Sequence, residues 1–234
     1  MLTPQILARA AVAPQSSSPV NQWILLLPLS FLLLLLMATS EPHAAESVLH
    51  NAVQNEGAPH RGPRAYHAMC ARAPSLCQHD RQAGRTQGMG AAATLTPERW
   101  AQLVEANDAI NFAMRPGEDL ALHGQSDFWT DGGAAGDCED FAISKKQLLI
   151  GQGWSADQLL YAVVEGIDTP YHAVLIARTD KGDFVLDNLS PGVKRWDQSG
   201  YRFIIRQSAA NPHAWVYVDP TPPANSDPLR VAER

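Results

Sequence analysis

At Gly151 the hydrophobic pattern of this chain changes period, and that change does most to limit the folds open to it. From Cys138 to Gly151 apolar residues recur at helical spacing. Phe141, Ala142, Leu148 and Leu149 are expected inward and Ser144, Lys145 and Lys146 toward solvent, with Gly151 and Gly153 ending the run. Beyond it the period becomes that of strands: Leu159–Val164, then His172–Ala177, then a tight turn at Asp180–Asp183 into Phe184–Asp187. Val193–Trp196, Tyr201–Arg206 and Ala214–Val218 read as further short strands. An earlier helix is predicted from Thr96 as N-cap, with Pro97 in its first turn and Pro116-Gly117 as its stop. Trp100, Leu103, Val104, Ile110 and Met114 share one face of it. Arg81–Thr94 and Leu120–Gly136 read as loop or irregular chain. Helices followed by antiparallel strands make an α+β domain.

The helix at the change of period opens on Asp137-Cys138-Glu139-Asp140. A thiol at a helix N-terminus gains from the positive end of the helix dipole, which favours the reactive thiolate. His172 and Asp187 follow on successive strands, which the turn at 180–183 sets side by side. An imidazole so placed can take the thiol proton, and a carboxylate can fix its tautomer. Cys138, His172 and Asp187 are therefore the candidate catalytic residues of a cysteine-nucleophile site. The backbone N–H of Cys138 is the natural first oxyanion donor, and the Trp129 indole is a candidate second. Trp129 reads equally as a core residue. Asn107 and Asn111, four apart on the earlier helix, are expected to bond buried backbone rather than to take part in chemistry.

The flanks of Cys138 oppose its ionisation. Asp137, Glu139 and Asp140 put negative charge beside the thiol, and anions disfavour a thiolate. Either these side chains pair with Lys or Arg, or a cation sits among them. Calcium suits such a set, because it takes several oxygens in flexible geometry. The competing role for Asp137 is that of a helix N-cap.

The segment Gly136-Asp137-Cys138-Glu139-Asp140-Phe141-Ala142, with His172-Ala173-Val174-Leu175 and Leu186-Asp187-Asn188-Leu189, resembles the bacterial transglutaminase-like cysteine proteinases. The resemblance runs from about Tyr66 to Val218 and takes in Trp100, Asn107, Asn111, Asp119, Gly124, Asp127, Trp129, Trp196, Tyr201 and Trp215. It implies a papain-like, transglutaminase-type core with the cysteine-bearing helix packed on an antiparallel sheet. In the LapG-like periplasmic branch, acidic residues flanking the cysteine go with calcium dependence; they match Asp137 and Glu139, and less closely Asp140. That branch acts on large repeat adhesins at the cell surface and is held by an inner-membrane receptor. Cys70 and Cys77 depart from its pattern.

Composition limits the setting. The chain has 234 residues and a formal net charge of -6, so it has room for one domain and no basic footprint for nucleic acid. Trp23–Ala38 is almost wholly apolar, is interrupted by Pro28 and is short for a bilayer-spanning helix. Ala38-Thr39-Ser40 behind it suits signal peptidase, so residues 1–40 are read as a signal peptide or an uncleaved anchor. Residues 41–63 read as a linker, 64–218 as the peptidase domain and 219–234 as a disordered tail. Export to the periplasm or beyond would let Cys70 and Cys77 form a disulfide, with two unpaired buried thiols as the alternative; His67 and His79 lie nearby, but the spacing matches no zinc motif.

Three functions compete: an exported cysteine endopeptidase; a transglutaminase or amidase using the same three residues; and a non-catalytic binding module that keeps the fold. The intact set Cys138, His172 and Asp187 favours the first two.

Overall fold

The computed structural model describes residues 53–83, 90–166 and 170–218. The predicted signal or anchor segment and the predicted tail lie outside the described residues, among which no helix is long and apolar enough to cross a membrane. The described part is an α+β domain built on one antiparallel sheet. Its strands are β1 (Glu56–His60), β4 (Leu159–Glu165), β5 (His172–Thr179), β6 (Gly182–Leu186), β7 (Lys194–Arg195), β8 (Arg202–Gln207) and β9 (Trp215–Val218). They lie in the order β1-β9-β8-β4-β5-β6-β7. Its helices are α1 (Arg64–Arg72), α2 (Gln78–Ala83), α3 (Pro97–Ala113), α4 (Asp119–His123) and α5 (Cys138–Gly151).

Strict alternation along β4 and β5 divides the apolar residues between the two faces of the sheet. Leu159, Tyr161, Val163, Ala173, Leu175 and Ala177 join a core with α1, α3 and α5, while Leu160, Ala162, Val164, Val174 and Ile176 pack with Val185, Phe203 and Val218 on the other face. Burial on both sides is why these strands read as nearly continuous apolar runs. The hairpin turn falls at Asp180-Lys181, with Thr179 opposite Gly182 and Leu175 opposite Leu186. Thr96 caps α3 by accepting a hydrogen bond from Arg99 N–H at 3.3 Å.

Three segments depart from the expectations. Residues 41–63 are not all linker: Glu56–His60 pairs with β9 and completes one edge of the sheet, so the fold begins ahead of Arg64. Alternating polar and apolar character is weak there, and only the partner strand defines it. Within Leu120–Gly136, expected to be irregular, α4 reaches His123 and stops at Gly124, whose φ of 71° suits a residue without a Cβ. Ala135–Gly136 (β3) pairs in parallel with Arg115–Pro116 (β2).

The third correction concerns α5. Lys145 and Lys146 were expected in solvent, yet they are 1% and 0% exposed. The helix packs against β5 on one side and α3 on another, and α2 and β8 close over Lys146, so little of its surface reaches water. Lys146 Nζ lies 2.6 Å from Asp80 Oδ1, 3.0 Å from Gln207 Oε1 and 4.4 Å from the centre of the Tyr161 ring. Asp80 Oδ2 accepts from Gln207 at 2.9 Å and from Tyr66 at 3.1 Å. Burial lowers the Lys145 ammonium to about 7, against the opposing pull of Asp187 and Asp108.

Asp80 belongs to a segment fixed covalently. Cys70 on α1 and Cys77, just ahead of α2, are joined by a disulfide with an S–S distance of 2.02 Å. Removing Asp80 would strand the Lys146 charge in the core. Asp80→Ala is expected to cost about 3–5 kcal/mol of stability, and opening the eight-residue loop with Cys70→Ser and Cys77→Ser about 2–3 kcal/mol. Urea unfolding of the two variants beside the parent measures both, and the ion pair should prove the more costly loss.

Candidate active site

The start of α5 meets the start of β5. Cys138 Sγ, half-buried and the free cysteine of the described residues, accepts a hydrogen bond from Ala173 N–H at 3.4 Å. That contact sets the thiol one residue from His172. Continuing the β5–β6 register one step past Leu175–Leu186 puts Val174 opposite Asp187, so His172 and Asp187 are diagonal neighbours on one face. The imidazole Nε2 lies 2.7 Å from Asp187 Oδ1, which leaves Nδ1 as the nitrogen available to the thiol. His172 and Asp187 are 2% and 3% exposed.

Asp187 is held from four directions. Leu189 N–H donates to Oδ1 at 3.0 Å and the Tyr201 hydroxyl donates to Oδ2 at 2.7 Å. Its own N–H donates to Asn107 Oδ1 at 3.1 Å, and its carbonyl accepts from Asn111 Nδ2 at 2.8 Å. The two asparagines thus bind buried backbone, and the backbone they bind is that of the candidate orienting residue. Burial by itself would raise the Asp187 carboxyl. Hydrogen bonds from His172, Leu189 and Tyr201, with the imidazole charge, outweigh it and hold the group below its ordinary value of 3.8. Tyr201 has no part in the sequence-based catalytic set. A tyrosine opening a strand carries no local signal, and only the approach of β8 brings it here.

Trp129 does not serve the oxyanion site. Its indole N–H donates to Asp127 Oδ1 at 2.9 Å, and the ring is 4% exposed within the main core.

The acidic residues gather beside the thiol. Cys138 Sγ donates to Glu139 Oε2 at 3.2 Å. Burial and then the Glu139 charge push the Cys138 thiol well above its ordinary 9.0. Glu139 is itself raised to about 10, by burial and then by its hydrogen bond to Asp137 and the charge there. Burial raises Asp137, and lifts Asp140 to about 7. Asp137 occupies the N-cap position of α5, but its side chain makes no capping hydrogen bond.

Two further carboxylates, Asp119 and Asp127, join this corner: one oxygen of each lies within 4.8 Å of a Glu139 oxygen. The loop Phe128–Thr130 engages one oxygen of two of these groups. Phe128 N–H donates to Asp119 Oδ2, and Thr130 N–H donates to Asp140 Oδ1 at 2.9 Å. Their other oxygens, Asp119 Oδ1 and Asp140 Oδ2, are buried without a partner, as is Asp137 Oδ1. Acidic oxygens turned inward with nothing to bind fit a divalent cation. Neither carboxylate outside the Asp137–Asp140 run is adjacent to it in sequence; the family resemblance takes in both without giving them a role, and the fold brings them to this corner.

A helix-borne thiol, a strand-borne imidazole bonded to a carboxylate and an antiparallel sheet under both make the arrangement of a cysteine-nucleophile enzyme, and the family match makes it a cysteine peptidase. Residues 56–222 match the bacterial transglutaminase-like cysteine proteinase (BTLCP) family, and the chain belongs to that family. Among solved structures it is similar to calcium-bound Legionella pneumophila LapG, with 19% identity over 82% of this chain and 98% of that one, and a TM-score of 0.43. It is similar to the EGTA-treated form of that protein, with 23% identity over 56% and 80% and a TM-score of 0.40. A further LapG structure from the same organism gives 21% identity over 67% and 92% and a TM-score of 0.42. No curated protein matches the chain.

Because the folded Asp187 value lies below the unfolded one, its contribution to stability is complete above the ordinary carboxylate range. It is lost as pH falls through the depressed folded value. Tyr201→Phe removes one bond that depresses it. The variant is expected to lose about 1.5 kcal/mol at neutral pH and to show a smaller acid-dependent loss of stability, complete at a higher pH than in the parent. Urea unfolding at a series of acidic pH values records both effects.

Proposed function

We propose that this protein is an exported cysteine endopeptidase that cleaves a protein substrate through Cys138, His172 and Asp187, with a calcium ion at the acidic corner. The carrying observation is the His172 Nε2 to Asp187 Oδ1 contact of 2.7 Å, beside a thiol held at 3.4 Å from Ala173 N–H. Nδ1 of His172 takes the proton from Cys138 as Sγ attacks the peptide carbonyl carbon. The carbonyl electron pair moves to oxygen, where the Cys138 N–H at the start of α5 receives it. Collapse of this intermediate breaks the C–N bond, and the imidazolium protonates the leaving amine. Water, deprotonated by the same nitrogen, then releases the acyl group and restores the thiol. Asp187 holds the ring and stabilises its charged form throughout.

Asp137, Glu139 and Asp140 would hold the calcium, with Asp119 and Asp127 near enough to share it. A bound divalent cation supplies positive charge that offsets the carboxylates and so lowers the cost of ionising Cys138. The partnerless oxygens of Asp119, Asp137 and Asp140 support this reading, and the missing side-chain cap counts against Asp137 being only a helix cap. Export is supported by the apolar Trp23–Ala38 and by the Cys70–Cys77 bridge, which an oxidising compartment preserves. A surface adhesin as substrate and an inner-membrane receptor as regulator are the expectations that the resemblance carries.

Cys138→Ala should abolish turnover and leave the fold intact, and Asp187→Asn should lower kcat by up to about 10⁴. New N-termini in the product mark an endopeptidase, isopeptide links a transglutaminase and ammonia an amidase. A Cys138 thiol no more reactive than a free cysteine toward an alkylating probe in calcium would instead mark a binding module.

Calcium gives a separate test with a definite sign. Without it the thiol value is raised, so thiolate is scarce at neutral pH; with it the value should fall. The pH profile of Cys138 alkylation by iodoacetamide is expected to move to lower pH when calcium is added after chelation. Magnesium should do less, because it demands tight octahedral geometry. Asp137→Asn should blunt the move, and an identical profile with and without calcium would sink the calcium role.

A further inference from the structure

The acidic corner has a second side, and one nitrogen ligand stands on it. His123, the last residue of α4, places a ring nitrogen within 4.8 Å of one oxygen each from Asp119 and Asp140. Both aspartates are 1% exposed or less, and each has one oxygen engaged by the Phe128–Thr130 loop and the other buried without a partner. The imidazole is exposed and stacks on Phe128 at 4.5 Å between ring centroids, and the Arg72 guanidinium lies 3.6 Å from the centre of that same ring.

We propose that Asp119, His123 and Asp140 form a site for a borderline transition cation, zinc in particular, that competes with calcium for the shared carboxylates. The donor set makes the distinction. Asp137, Glu139 and Asp127 extend the corner with oxygen alone, which suits calcium. His123 adds an imidazole, which zinc, copper and nickel favour and calcium does not. An imidazole and two carboxylates are each zinc-competent ligands, and three of them leave a fourth position for water. A tetrahedral ion needs its ligand atoms about 3.4 Å apart, so they must close from the present spacing, and the exposed imidazole at the end of a five-residue helix can supply that movement. Two cations cannot share Asp119 and Asp140 at full strength, so zinc bound here displaces calcium. The competition rests on the proposed calcium site, and a calcium titration of the parent, which shows no binding if that site is absent, separates its failure from failure of the zinc site.

Calorimetric titration of the full chelator-treated protein with zinc chloride tests it, for the parent and His123→Ala, each with and without saturating calcium. His123→Ala is expected to weaken zinc by about tenfold or more and to leave calcium affinity within about twofold, because calcium uses no imidazole. Saturating calcium should weaken zinc in the parent. Zinc binding of equal strength in the parent and His123→Ala, or no zinc binding in the parent, overturns the site. So does an equal loss of both cations in the variant, and so does zinc affinity indifferent to calcium. Cobalt(II) in place of zinc guards against binding at the nucleophile: a thiolate-to-metal absorption band would put the ion on Cys138 and overturn the assignment.

Discussion

The seating of α5 against β5 governs the rest of the structure. One end of the helix carries Cys138, and the strand it meets begins with His172 and Ala173. Because the helix rises 1.5 Å per residue, a slip of one residue would carry Sγ away from Ala173 N–H and from the imidazole. Several buried contacts prevent that slip. Ala142, Ile143 and Leu149 are buried in the core shared with the sheet and α3, and Lys146 is tied to Asp80 and Gln207. The last of these is costly to form, since two charges leave water, but once formed it makes any other helix position worse by an unpaired buried charge.

Positioning of the imidazole follows a different logic. His172 and Asp187 owe their contact to the ladder register, and the exact placing of Asp187 to groups from α3, from Leu189 and from Tyr201 just ahead of β8. Asn107 and Asn111 grip its backbone, while Tyr201 and Leu189 take the carboxylate. Each bond also lowers the cost of keeping a buried carboxylate charged, so the same contacts that orient Asp187 keep it ionised.

The acidic corner works against the nucleophile as long as its carboxylates face one another. Five acidic groups converge where the helix dipole alone would favour a thiolate, and the thiol is raised instead. The loop Phe128–Thr130 is the hub: its N–H groups aim Asp119 and Asp140, and Arg72, two residues beyond the bridged Cys70, holds the loop through Trp129 O at 2.7 Å. The disulfide-bearing segment therefore reaches the site at this loop and the helix that carries Cys138 at Lys146.

The sequence by itself determined what depends on short-range pattern. Thr96-Pro97 starts a helix, Gly151 ends one, the short β-branched and apolar runs Leu159–Val164 and His172–Ala177 make strands, and Asp180–Asp183 turns the chain so that His172 and Asp187 meet. The thiol at a helix start and the charge crowding it were legible for the same reason. What tertiary structure alone decided involves residues distant in sequence: β1 exists because β9 pairs with it, and Lys145 and Lys146 are interior because other elements close over a helix whose own pattern put them outside. Asp119, Asp127, His123 and Tyr201 reach the site by the same route. Local pattern reports which face of an element is apolar, but a polar side chain becomes interior only when a partner arrives from elsewhere to satisfy it.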